Sequence, residues 1–175
     1  MRTSLSAVSK PVDIAKFEAL DLSRTERLCI QNYNWSAEKA AQVATDYRRY
    51  LALFAMYPDT MLVGSPEIDD IWHQHVLDTR KYHADCQHLF GFYLHHVPVI
   101  ENEKASLLPY ADACAMTMDA IEKVFGARPA TDPARRPHAV CFYDDPATGL
   151  MRHTTAHAVC TYDEEDDDDG DIGRL

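Results

Sequence analysis

Residues 65–98 read SPEIDDIWHQHVLDTRKYHADCQHLFGFYLHHVP, and the periodicity of this stretch decides the fold. Ser65-Pro66-Glu67 is a helix start: a capping hydroxyl, a proline at the first helical position and a carboxylate in the first turn. The spacing predicts one helix from Pro66 to Leu89, with Gly91 near its end. At about 100° per residue, Ile68, Trp72, His75, Thr79, Tyr82, Cys86 and Leu89 fall on a single stripe, the pattern of a core-facing seam. His75 therefore points inward, while Asp69, His73, Arg80 and His83 lie together on the flank. His73 and His75 diverge by about 160° on a regular helix, so they do not grip the same ion unless the helix is distorted.

Working outward, the same periodicity recurs on both sides. Residues 12–31 read as one or two helical pieces, with Asp21 and Ser23 available to cap the second. Ser36 opens a helix that runs to about Met56, where Tyr57-Pro58 ends it, because the residue before a proline is pushed out of the α region. A further helix fits residues 107–125 and closes at Gly126. The fold expected is mainly α: a bundle of four to five helices over residues 1–127, a Pro/Arg-rich linker at 128–137, a small C-terminal β-hairpin at 138–162 and an acidic tail at 163–175.

The hairpin rests on a repeat. HAVCFYDD begins at His138 and HAVCTYDE at His157, identical at six of eight positions. Each copy alternates apolar and polar residues as a short strand does. His138, Cys141, His157 and Cys160 could form a His2Cys2 zinc site if the strands bend, or the repeated unit could be modified twice by a partner enzyme. A duplicated strand lying on the bundle is the plainest alternative.

Composition narrows the function classes. The chain has 175 residues, 46% hydrophobic and 26% charged, with a formal net charge of −11. Eight of its 28 acidic groups lie in residues 163–171 (DEEDDDDGD). An acidic body with an acidic tail offers no electrostatic footing for nucleic acid or an anionic membrane. Five cysteines, an odd number, and no apolar stretch resembling a signal peptide or a membrane span point to a reducing, cytoplasmic setting.

Six of the nine histidines fall within residues 73–96. Asp69 and His73 are four apart, so their side chains meet. A turn at Gly91 could fold His95 and His96 back toward them. Asp69, His73, His75 and His96 are the candidate ligands for zinc or non-haem iron, with Trp72, Thr79, Tyr82 and Cys86 around them. An inward histidine is also commonly just a hydrogen-bonded core residue, and an i, i+4 Asp–His pair a solvated helix contact.

The same residues carry a resemblance. Asp69, Trp72-His73-x-His75, Thr79, Tyr82, Asp85-Cys86, Phe90-Gly91 and His96, with DYRRYLAL upstream and KVFG downstream, resemble the signature of the glycine-rich domain-containing protein-like family over about residues 33–126. That resemblance implies a helical fold but no particular reaction. Two functions remain open: a metal-binding protein, as a small zinc or iron enzyme of unknown substrate, or a non-catalytic scaffold presenting the His/Cys repeat to a protein partner.

Overall fold

The computed structural model describes residues 11–58, 60–98, 107–129, 139–144 and 151–153. Within these the chain is mainly helical, with six helices: α1 (Ile14–Glu18), α2 (Ser23–Tyr33), α3 (Ala37–Met56), α4 (Pro66–Leu77), α5 (Thr79–Leu89) and α6 (Leu107–Phe125). None is long and apolar enough to cross a membrane.

The central helix is α3, packed against α1, α2, α4 and α6. Its long buried face (Ala40, Val43, Tyr47, Tyr50, Leu51 and Phe54) repeats at helical spacing, which is why one helix can serve as the hub. Ser36 caps it, its hydroxyl accepting from Lys39 N at 3.1 Å. Asp21 accepts from the backbone N–H of Ser23 at 2.9 Å and opens α2. Ser65, fully buried, accepts from Ile68 N at 3.2 Å and fixes the start of α4, with Pro66 behind it.

The single helix expected over residues 66–89 is two helices. Asp78 leaves the helical region (φ −83°, ψ 68°), ends α4 and begins α5. The Asp78 side chain makes no capping hydrogen bond and pairs instead with Arg24 of α2 at 3.0 Å. The break corrects the seam. Ile68, Trp72, His75, Tyr82 and Cys86 are buried, but Thr79, expected on the same stripe and near the site, is exposed. Arg80 and His83 are likewise exposed and do not join Asp69 and His73.

After α5 the chain reverses at Gly91, whose φ of +79° is open to glycine without the Cβ penalty other residues meet. Strand β1 (Leu94–Pro98) follows, and it pairs antiparallel with β2 (Ala139–Asp144), which pairs with β3 (Met151–His153). Most of the first octapeptide is therefore strand β2, and its partner on one side is β1, with His96 opposite Cys141 in register. The second copy, with His157 and Cys160, lies outside the described residues, as do His138 and the acidic tail.

Candidate metal centre

Helix α4 places two donors on one face. Asp69 and His73 stand one turn apart, and His73 Nε2 lies 3.9 Å from Asp69 Oδ1. The third donor comes from β1: His96 Nε2 is 2.7 Å from the same oxygen. The two imidazoles converge, with ring centroids 4.3 Å apart. Asp69, His73 and His96 thus bring one carboxylate oxygen and two ring nitrogens within 4.8 Å of one another. Bonds of about 2.0–2.2 Å to zinc set neighbouring donors roughly 3 Å apart, so the cluster needs only small shifts to enclose a cation.

The environment is graded. The Asp69 and His96 side chains are each 6% exposed, whereas His73 is 43% exposed, so the cluster has a dry floor and one wet side. A carboxylate oxygen only accepts, so His96 Nε2 carries the proton and donates to Asp69 when no ion is present. The indole of Trp72 stands edge-on to the His96 ring at 4.5 Å, walling the dry side.

His75 is not brought to the cluster. It is 1% exposed and held in a separate chain of hydrogen bonds. Its Nε2–H donates to Asp85 Oδ2 at 2.8 Å, and Tyr47 Oη–H donates to Nδ1 at 3.2 Å. Lys81 reaches the same Asp85 oxygen at 2.7 Å. Burial opposes ionisation of Asp85, yet the hydrogen bonds from His75 and Lys81 and the Lys81 charge hold its carboxyl below the usual range. The rings of Tyr47 and Tyr82 stand edge-on to His75, at 5.8 and 4.9 Å. His75 is thus a hydrogen-bonded core histidine.

Asp85 and Tyr47 were not legible as its partners. On an unbroken helix, residues ten apart sit about 15 Å apart along the axis, beyond the combined reach of His75 and Asp85. The break at Asp78 closes that distance, and nothing in the periodicity announces it. Of the other residues expected around the site, Trp72 and Tyr82 are buried and hydrogen-bonded to each other, Nε1 to Oη at 2.9 Å. Cys86 is buried, and burial pushes its thiol up. Thr79 takes no part.

Compared with known proteins, the chain matches the UCP032817-like family over residues 12–106, a span that contains all three members of the cluster. This family is uncharacterised, and the match corrects the resemblance to the glycine-rich domain-containing protein-like family. No curated protein and no solved structure matches the chain.

Proposed function

Starting from a chain that belongs to the UCP032817-like family, whose name prescribes no reaction, we propose from the site alone that it is a metal-binding protein. Asp69, His73 and His96 hold one divalent cation as two imidazoles and a carboxylate. The observation that carries this reading is the convergence of both ring nitrogens on one buried carboxylate oxygen, at 2.7 and 3.9 Å. A salt-bridge pair needs one histidine; two converging on the same carboxylate is the arrangement a cation resolves. Three protein donors leave coordination positions free, and the exposed side of His73 lets water or a small molecule reach them. That donor set suits zinc or non-haem iron, and the free positions fit a small metalloenzyme that activates a bound water or ligand.

The second reading rests on the duplicated octapeptide: six identical positions in eight favour a segment used twice, as in a carrier that presents His138, Cys141, His157 and Cys160 to a partner. In that reading the metal belongs to the two C-terminal copies.

Elemental analysis of the purified full chain separates the two. Under the proposal, one equivalent of zinc or iron is retained by the parent and lost equally in Asp69→Asn, His73→Ala and His96→Ala. Double variants add little, because the three act as one unit. Retention in all three, with loss in Cys141→Ala and Cys160→Ala, would transfer the metal to the repeat and end the proposal.

A further inference from the structure

Besides the contact of the ligands themselves, the two ligand-bearing elements, α4 and β1, are bridged by a hydroxyl that belongs to neither. Tyr82 of α5 donates to Leu94 O at 2.5 Å and accepts from Trp72 Nε1 at 2.9 Å. Trp72 immediately precedes His73, and Leu94 stands two residues before His96 in the strand. The ring of Trp72 then meets His96 edge-on at 4.5 Å. Tyr82 itself is immobilised: 1% exposed and set edge-on to His75 on α4 at 4.9 Å and to Tyr93 at 5.2 Å.

We propose that Tyr82 is the positioning residue of the metal centre, its hydroxyl setting the separation between the Asp69/His73 pair on α4 and His96 on β1. The inference rests on the metal-binding reading above. The physical ground is that Asp69 and His73 are fixed relative to each other by one helical turn, whereas their distance to His96 is fixed only by what ties the strand to the helix. The break at Asp78 is what makes the tie possible, since Trp72 and Tyr82 would otherwise lie about 15 Å apart along one axis. Groups that orient metal ligands typically govern affinity by about 10–100-fold. Acting through Trp72 and the Leu94 carbonyl rather than on a ligand atom, Tyr82 belongs at the lower end of that range.

The test is a Co2+ titration of the full chain, followed by the visible absorption of the bound ion, which reports coordination geometry directly. The set is wild type, Tyr82→Phe, Trp72→Phe, Asp69→Asn and Tyr50→Phe. Tyr50 is a buried tyrosine of the same core whose ring packs on Trp72 at 5.9 Å and whose hydroxyl donates to Leu62 O at 3.2 Å, so Tyr50→Phe removes a hydroxyl that is no part of the tie and keeps the packing. Tyr82→Phe should weaken Co2+ binding by about tenfold and shift the absorption envelope. Trp72→Phe, which also removes one bond of the tie, should do the same and serves if Tyr82→Phe fails to fold. Tyr50→Phe should leave affinity and spectrum unchanged. A Tyr82→Phe titration and spectrum matching wild type overturns the positioning role while leaving the site intact. Wild type and Asp69→Asn titrating alike removes the site, and the positioning role with it.

Discussion

Replacing His75 with leucine tests whether the two histidines of Trp72-His73-x-His75 divide their labour as the fold arranges them. The substitution is close to volume-conserving at a position 1% exposed, so its cost is read in hydrogen bonds rather than cavity. The bond to the Asp85 carboxylate, at 2.8 Å, is charge-assisted and contributes about 1.5–3 kcal/mol. The 3.2 Å bond from the buried Tyr47 hydroxyl contributes about 1 kcal/mol. Against these, Asp85 keeps Lys81 at 2.7 Å, and the added apolar burial of leucine returns roughly 1 kcal/mol. The net is a loss of about 2 kcal/mol. For a chain of this size that lowers Tm by about 4–8 °C. The assay is thermal unfolding by circular dichroism, run beside metal analysis of the same preparation. Expected is a destabilised protein that retains its metal equivalent. A variant as stable as the parent, or one that loses metal as completely as Asp69→Asn, would refute the separation of His75 from the cluster.

Asp85 gives a pH signature. Because its folded carboxyl is held below the ordinary range, its contribution is present above the unfolded value of about 3.9 and is lost as pH falls through the folded value. Asp85→Asn should therefore flatten the dependence of Tm on pH below about pH 4; curves for variant and parent that run parallel there would contradict this. Three thiols, Cys29 and Cys86 buried and Cys114 half-buried, give a reactivity signature. Burial pushes Cys29 up to about 12 and Cys114 up to about 11, and raises Cys86 as well, so little thiolate forms near pH 8. Peptide mapping after iodoacetamide treatment of the folded protein should find all three unmodified and should find them labelled in urea; rapid labelling of Cys29 in the folded state would show that the core is not closed as described.

The helices and their beginnings were legible in the sequence because they are local. Ser36 and Ser65 act through backbone groups three residues on, and the buried stripe of α3 follows from 3.6 residues per turn. The meeting of Asp69 with His73, and the divergence of His75 from both, follow from the same geometry and need no knowledge of the rest of the chain. Periodicity could not report the break at Asp78, because an amphipathic stripe continues to read as one helix when the chain bends between two turns. Its effects, the pairings of His75 with Asp85 and Trp72 with Tyr82, exist only in three dimensions. His96 is the sharpest case. The sequence supplied the histidine and the turn at Gly91, but its delivery onto Asp69, 27 positions earlier, is decided by a strand held at Leu94. Spacing fixes what lies within a turn of helix; contacts between elements are fixed by the packing that brings those elements together.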